Sequence, residues 1–283
     1  MSTDRPRRID THHHLWDLSV RPQDWTAELP VLNRSFLMAD YEPLAAAAGI
    51  DGSILVETVN VAPETPELLA VAAQHPLVRG VVGWVDLTAP DVADTIAALQ
   101  ARPDGDRLVG LRHQVQLEPD PDWLTRPDVL RGLLAVAEAG LVFELLVTHG
   151  QLRAATAAVE TIGSGRFVLS HLGKPDIAGA RRSPWAEDIT RLAAFPNVAA
   201  KLSGMVTEAG PDWTLTDLRP YAAHLLDSFG ADRVMLGSDW PVCLLAGSFA
   251  TVWSAYEALV DELAGDQVDA VLGGSAQHWY GLS

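Results

Sequence analysis

The chain has 283 residues, of which 48% are hydrophobic, and this is enough to bury one large core. Its formal net charge of −17 argues against nucleic-acid binding, because that interaction depends on clustered lysine and arginine. A single cysteine, Cys243, excludes an intramolecular disulfide framework and a cysteine-rich zinc cluster. The sequence has no apolar run of membrane-spanning length, and its N-terminus is polar. We therefore expect a cytoplasmic protein with one domain over residues 1–283 and no membrane or nucleic-acid partner.

Eight apolar segments rich in valine, isoleucine and leucine recur along the chain, with helix-like segments between them. Their apolar character is continuous rather than alternating, which is typical of parallel strands buried on both faces. The predicted strands cover residues 7–14, 52–58, 78–87, 108–116, 141–149, 166–173, 197–204 and 233–241. This alternation predicts the α/β class and a (β/α)8 TIM barrel, with a doubly wound open sheet as the alternative.

The connection after the first predicted strand is unusually long, from residue 15 to about residue 39. Loops of this length without regular structure often form lids or binding loops. It carries Trp16 and Trp25, so we expect it to cover the pocket. The last segment, residues 266–283, is predicted to be a closing helical segment.

Polar residues cluster at the predicted ends of the strands. In a TIM barrel the carboxyl ends of the strands form the active site, so side chains at these ends should face one pocket. The polar residues at or just beyond these ends are His12, His14, Arg112, His113, His149, His171, Lys201 and Asp239.

The first strand contains the stretch RRIDTHHHLWD, with three consecutive histidines. Side chains of a strand alternate between its two faces, which predicts Asp10, His12 and His14 on one face and His13 between the barrel and its helices. Two imidazoles at this spacing can share a metal at about 2.0–2.1 Å. The remnant of a purification tag is the alternative, although Ile9 and Leu15 flank the histidines where a tag would have linker residues.

Each candidate also has a structural interpretation. Asp239 could cap a helix, because Asp is a common cap and Pro241 follows closely. Arg112 could pair with a buried carboxylate, Glu57 or Glu144. Lys174 and Lys201 could be ordinary surface residues. His149 could cap a helix, and Cys243 could be a small buried side chain.

Two further motifs accompany the histidine pair: VLSHLGKP at residues 168–175 and MLGSDWPVC at residues 235–243. With these motifs on strands one, six and eight, the sequence resembles the amidohydrolase superfamily, in particular its amidohydrolase-2 branch with the sugar lactonases. The likeness to sugar lactonases also includes GLRHQVQ, WLTRPDVLRGL, FELLV, KLSG and GSDWPVCLLAGSF, so it spans nearly the whole chain.

The resemblance implies a single divalent metal ion, or a water, surrounded by His12, His14, His171 and Asp239, with zinc as the expected ion. Members with two metals bridge them with a lysine or glutamate on strand four, and this strand ends in LRHQVQ, with neither. Some members of the branch hydrolyse lactones without a metal, so the ligands are implied more strongly than the ion.

The implied activity is hydrolysis of a sugar-acid lactone, a small-molecule substrate, to the open aldonic acid. Asp239 would take the proton of the attacking water, and His113, Arg112 or the metal would stabilise the oxyanion. The expected substrate contacts are Trp16, Trp25, His149, Lys201 and Trp240. The alternatives are a metal-dependent decarboxylase of an aromatic acid, a hydrolase of a pyrone or muconolactone, and a sugar-binding barrel without catalysis. The sugar, the oligomeric state and the roles of Glu57, Glu144 and Lys174 stay open.

Overall fold

The computed structural model describes residues 7–282, so residues 1–6 and Ser283 of the predicted domain lie outside it. Eight strands form one sheet in which every neighbouring pair is parallel and the spatial order follows the chain. Each strand falls within one of the eight predicted segments. The strands are β1 Ile9–His13, β2 Gly52–Val56, β3 Val78–Gly83, β4 Leu108–His113, β5 Val142–Leu145, β6 Arg166–Leu169, β7 Val198–Leu202 and β8 Val234–Leu236.

The sheet closes on itself between β1 and the segment that follows β8. The backbone N–H of His14 donates to the carbonyl oxygen of Trp240 (2.7 Å), and that of Asp239 donates to the carbonyl oxygen of His12 (2.8 Å). A parallel bridge also joins His13 to Trp240. These contacts confirm the predicted (β/α)8 barrel and exclude the open sheet.

Helices connect the strands and cover the outside of the barrel. The longer helices bury apolar residues at helical spacing, such as Val129, Leu133 and Val136 of the fourth helix. The helices are α1 Met38–Ala47, α2 Glu64–Gln74, α3 Val92–Gln100, α4 Pro127–Glu138, α5 Leu152–Ile162, α6 Trp185–Ala193, α7 Met205–Ala209, α8 Leu215–Phe229, α9 Phe249–Leu263 and α10 Ser275–Tyr280. Within residues 7–282, no helix combines the length and apolarity needed to cross a bilayer.

Apolar side chains pack in two separate layers. Alternate strand residues, among them Ile54, Val56 and Met235, fill the inside of the barrel, while their neighbours pack against the helices. Helix α10 closes the amino-terminal end of the barrel, as predicted for the last segment. Arg166, the first residue of β6, donates from Nη1 to the carbonyl oxygen of Trp279 (3.0 Å).

A β-bulge in β1 changes one prediction about the histidine segment. The register against β2 shifts between Asp10 and His13, so the side chains do not alternate strictly. Asp10 Oδ2 accepts a hydrogen bond from the Tyr41 hydroxyl (2.8 Å), and the ring of His13 stacks on the same tyrosine at 4.0 Å. The placement of His13 between barrel and helices is therefore confirmed. The placement of Asp10 on the face of His12 and His14 is wrong, because the extra residue of the bulge turns Asp10 towards α1.

The carboxylate of Asp10 fixes this bulge to the neighbouring elements. It accepts hydrogen bonds from the backbone N–H (2.8 Å) and the hydroxyl (2.6 Å) of Ser238, in addition to the hydroxyl of Tyr41. All three residues are buried. Asp10 therefore links β1, α1 and the turn after β8 at the seam where the barrel closes.

Asp10→Ala should lower the free energy of unfolding by about 3 kcal/mol or more, because it leaves several buried donors without an acceptor, at about 1–3 kcal/mol each. Urea denaturation of the purified variant measures this loss. Asp227→Ala, which removes an exposed carboxylate of α8, serves as the control and should stay within about 0.5 kcal/mol of the parent. A parent-like unfolding free energy for Asp10→Ala would show that the seam does not depend on this carboxylate.

Candidate active site

A cavity of about 270 Å³ lies at the carboxyl ends of the strands. Its walls contain five of the predicted site residues, together with polar and apolar side chains from the segments after β2, β4, β5, β6, β7 and β8. The lining residues are His14, Trp25, Thr58, Arg112, Gln114, Gln116, Leu117, Leu146, His171, Lys174, Thr207, Asp239 and Val242. Another cavity, of about 330 Å³, lies between the long first loop and α2. The imidazoles and the carboxylate that can do chemistry converge on the first cavity, which we take as the candidate active site.

Four side chains at the floor of this cavity form the predicted metal-ligating cluster. His12 Nε2 and His14 Nε2 are 3.2 Å apart. Asp239 Oδ1 lies 3.4 Å from His14 Nε2, 3.8 Å from His171 Nε2 and 3.9 Å from His12 Nε2. Ligand atoms of His12, His171 and Asp239 all lie within 4.8 Å of one another, a spacing that fits one divalent cation, and His14 lies beside this group.

Two of the imidazoles are oriented by hydrogen bonds on the ring nitrogen that faces away from the cluster. His14 Nδ1 lies 2.8 Å from the carbonyl oxygen of Val56, which can only accept, so Nδ1 carries the proton and Nε2 keeps its lone pair. His171 Nδ1 lies 2.9 Å from the Ser203 hydroxyl, which can accept in the same way. Such partners fix the tautomer of a metal-binding histidine.

The backbone of the cluster is strained. His171 and Asp239 have φ angles of +52° and +57°, in the left-handed region that side-chain-bearing residues rarely adopt. Such residues cost about 1–3 kcal/mol each and persist where the surrounding structure holds them. Here the strain turns both side chains from the ends of β6 and β8 into the cavity.

Burial determines the charge states of the cluster. It lowers the pKa of His171 to about 3. Burial and the nearby charge of Lys201 hold the pKa of His12 well below its usual value. Burial raises the pKa of Asp239, but His171, His14 and Lys174 outweigh it and leave that pKa below its usual value. These shifts favour neutral imidazoles at His12 and His171 and an ionised carboxylate at Asp239, the states that metal ligands require.

His12 differs from the other two histidines because cations face both of its ring nitrogens. Lys201 Nζ lies 3.3 Å from Nδ1, and Arg112 Nη1 lies 3.2 Å from Nε2. Burial lowers the pKa of Lys201 to about 8, which still leaves a cation at neutral pH. His12, His171 and Asp239 form the group whose ligand atoms fit one divalent ion, and His12 is the member with cations at both ring nitrogens.

Arg112 combines a structural and a site role. Its Nε donates to Glu57 Oε1 (2.7 Å) and its Nη2 donates to the carbonyl oxygen of Glu57 (2.5 Å), as in the structural alternative. The ion pair is buried, and the guanidinium also lines the cavity. Glu57 therefore neutralises and orients a cation that faces the substrate space.

His113 does not reach the cavity, so its predicted oxyanion role is not supported. Strand alternation turns it outwards from β4 while Arg112 points inwards. Its Nδ1 accepts from Trp84 Nε1 (3.0 Å), its Nε2 lies 2.8 Å from Glu118 Oε1, and its ring stacks on Trp123 at 4.2 Å. Both ring nitrogens are engaged within the protein.

Of the three tryptophans predicted to contact substrate, only Trp25 lines the cavity, where it is 40% exposed. Trp16 is buried, and its Nε1 donates to the carbonyl oxygen of Arg34 (2.7 Å) inside the long loop. Trp240 is buried between Phe36 and Tyr41. The structure places the rings of Trp16 and Trp240 outside this cavity, where both pack the first loop onto the barrel.

The other two predicted substrate contacts also lie elsewhere. Lys201 is fully buried inside the barrel, below His12, and so cannot touch a substrate in the cavity. His149 is exposed on an adjoining lobe, where its Nδ1 lies 3.0 Å from the carbonyl oxygen of Lys174. Lys174 itself lines the cavity and pairs with Glu208 Oε1 at 3.1 Å.

Sequence reasoning missed several residues of the cavity wall, including Gln114, Gln116 and Thr207. The two glutamines could have been found, since they continue the alternation of inward residues from Arg112. Gln114 Nε2 donates to the carbonyl oxygen of Thr58 (2.6 Å), which holds the loops after β2 and β4 together. Thr207 lies on α7, and no motif pointed to it.

Comparison with known proteins identifies the family. The amidohydrolase family profile matches residues 9–282. The chain belongs to the amidohydrolase family. This amidohydrolase is 38% identical over 278 residues to an L-fucono-1,5-lactonase of Burkholderia ambifaria, covering 96% of this chain and 95% of that protein. It is 37% identical over 290 residues to an L-fucono-1,5-lactonase of Burkholderia multivorans, and this match covers 97% of this chain and 96% of that protein.

A solved structure shows the same fold. A Burkholderia multivorans amidohydrolase crystallised with bound zinc superposes on this amidohydrolase with a TM-score of 0.91 and 35% sequence identity. The superposition covers 98% of this chain and all of the other. The zinc was found in that protein.

Gly204 allows the close packing of His171 against the loop after β7. A Cβ atom on Gly204 would lie 2.5 Å from His171 Nδ1, and the residue has a φ of +64°. Gly204→Ala should displace the imidazole and weaken zinc binding by at least about tenfold, since orienting contacts of metal ligands are worth about 10- to 100-fold in affinity. Titration with a chromophoric zinc chelator measures this change.

Gly163→Ala is the matched control for the backbone strain. Gly163 has a φ of +63°, and its nearest neighbour to an added Cβ lies at 3.8 Å. The Gly163→Ala protein should have a lower free energy of unfolding than the parent and the same zinc affinity. Equal zinc affinities for Gly204→Ala and the parent would contradict the assignment of His171 as a ligand.

Proposed function

We propose that this amidohydrolase hydrolyses the lactone of a sugar acid to the open aldonic acid. The observation that carries the proposal is the ionised carboxylate of Asp239, which faces His14 Nε2 at 3.4 Å in a cavity that Arg112 also lines. This arrangement offers a proton acceptor and a cation to one ester group. The similarity to two L-fucono-1,5-lactonases supports a sugar lactone as the substrate class.

The walls of the cavity suit a compact, hydroxylated ring. Trp25 offers a flat apolar face at the entrance, on which a sugar ring can pack. Gln114 and Gln116 offer amide groups that can donate to and accept from hydroxyl groups. A volume of about 270 Å³ suits one ring rather than a polymer. Small polar sugars of this size are therefore the expected ligands.

Asp239 acts as the general base in this proposal. Its carboxylate takes a proton from the attacking water, whose oxygen then forms a bond to the lactone carbonyl carbon. The bond between that carbon and the ring oxygen breaks, and Asp239 returns the proton to the departing oxygen. The products are a carboxylic acid and a free sugar hydroxyl, so every atom of the water is accounted for.

Arg112 is the side chain best placed to stabilise the oxyanion. Its guanidinium lines the cavity, and Glu57 holds Nε and Nη2, which leaves Nη1 towards the cavity floor. Preorganised donors of this kind contribute about 3 kcal/mol to the stabilisation of a transition state. The positive charge of Arg112 would strengthen that contribution in a buried site.

His12, His14, His171 and Asp239 would hold one divalent metal ion, with zinc as the expected ion. When bound, such an ion polarises a carbonyl group and lowers the pKa of a coordinated water from 15.7 towards about 7. We expect the purified protein to bind about one zinc per chain, because ligand atoms of His12, His171 and Asp239 all lie within 4.8 Å of one another and His14 Nε2 lies 3.4 Å from Asp239 Oδ1.

A screen of aldonolactones with a pH indicator tests the activity directly, because hydrolysis releases a carboxylic acid. We expect acid release from one or more sugar lactones and a decrease after incubation with a chelator. Restoration by added zinc controls for damage by the chelator. Full activity in a chelated protein without detectable metal would remove the ion from the proposal, and no acid release from any lactone would refute the function.

Asp239→Asn should lower kcat by at least about 10²-fold with substrate binding largely retained, because general-base catalysis contributes about 10²–10⁴ to the rate. The amide keeps the size of the carboxylate but cannot accept the proton. Steady-state kinetics of the folded variant measure the effect. Asp227→Asn, an exposed carboxylate elsewhere, controls for the change in net charge. Turnover within a few-fold of the parent would rule out Asp239 as the base.

A further inference from the structure

A buried ammonium lies directly behind the proposed metal ligand His12. Lys201 Nζ donates to the carbonyl oxygen of Thr11 (2.7 Å) and to Glu144 Oε1 (2.5 Å), and it lies 3.3 Å from His12 Nδ1. The two oxygens are acceptors for the ammonium protons, whereas His12 Nδ1 can accept only in the tautomer that carries its proton on Nε2, the nitrogen that faces the cluster. Lys201, His12 and Glu144 are all fully buried.

Glu144 and its hydrogen-bond partners hold the Lys201 ammonium in this position. Glu144 also accepts a hydrogen bond from the Tyr280 hydroxyl (2.5 Å) on Oε1 and from the Ser170 hydroxyl (3.0 Å) on Oε2. The ring of Tyr280, from the closing helix α10, lies 5.4 Å from Lys201 Nζ. Packing on this side prevents Lys201 from withdrawing from His12.

This contact is the opposite of what a metal-binding histidine usually has. The outer ring nitrogen of such a residue normally donates its proton to a carboxylate or carbonyl, which raises the basicity of the ligand. His14 meets this condition through Val56, and His171 has the Ser203 hydroxyl. His12 Nδ1 instead faces the Lys201 ammonium at 3.3 Å. The nearest carboxylate oxygen, Glu144 Oε2, is farther away, at 3.9 Å from Nδ1.

We propose that Lys201 is a positioning residue that weakens metal binding at the site through His12. The ammonium orients the imidazole, withdraws electron density from it and repels a divalent ion on its other side. Glu144 and Tyr280 keep the ammonium in place. The inference rests on the metal ligands of the proposed function, and it makes the ion exchangeable rather than permanent.

Lys201→Met removes the cation and keeps an unbranched side chain of similar length. We expect it to tighten zinc binding by about 10- to 100-fold, the usual range for residues that contact metal ligands. Isothermal titration calorimetry of the metal-free protein with zinc measures the dissociation constant. The absorption spectrum of the cobalt-substituted protein reports separately whether His12 joins the coordination shell.

A double variant, Lys201→Met with Glu144→Gln, guards against misfolding, because it removes both members of the buried ion pair together. It should also bind zinc more tightly than the parent. Lys174→Met is the matched control, since Lys174 is the other lysine of the chain and contacts Glu208 at 3.1 Å rather than a ligand nitrogen. Its effect on zinc affinity should be smaller than that of Lys201→Met.

Two results would overturn the proposal. One is a folded Lys201→Met protein and a folded double variant that bind zinc no more tightly than the parent. The other is an equal gain of affinity in Lys174→Met, which would show a general effect of charge. The titrations use no lactone, so they separate the two proposals: tighter zinc binding without lactone turnover would support this inference and refute only the function. Lactone turnover by the parent, with no zinc bound by the parent or any variant, would support the function and refute this inference.

Discussion

The backbone pairing that closes the barrel also creates the site. Two backbone hydrogen bonds cross the seam between β1 and the turn after β8. One joins His14 to Trp240, and the other joins Asp239 to His12. The same few hydrogen bonds therefore set the distance between the histidine pair and the carboxylate. The bulge at Asp10 and the left-handed backbone of Asp239 accommodate this closure. Anything that loosens the seam changes the fold and the chemistry together.

Two buried ion pairs lie in the interior of the barrel. Arg112 pairs with Glu57, and Lys201 pairs with Glu144. Such pairing offsets much of the cost of removing ions from water. Both cations reach His12, whereas the outer ring nitrogens of His14 and His171 contact a neutral carbonyl and a neutral hydroxyl. The three histidines are therefore unequal in the electrostatic environment that decides how well each binds a cation.

Three aromatic residues lie near the ends of strands in the sequence but outside the cavity in the structure. Trp16, Trp240 and His113 all follow or end a strand, as an active-site residue should. The first two pack the long loop against the barrel, and His113 packs against Trp123. A flat apolar ring is equally suited to a sugar and to a protein core. Only the direction of the side chain distinguishes these uses.

The sequence by itself determined the barrel and the ends of the strands that form the site. Continuous apolar strands and the spacing of His12 and His14 depend on local periodicity, which a chain carries in any context. The family motifs added His171 and Asp239. The tertiary structure alone decided that Asp10 turns away, that His113 faces outwards and that Lys201 lies behind His12. A bulge, a left-handed residue and a buried ion pair result from contacts between distant segments, and such contacts leave no periodic pattern in the sequence.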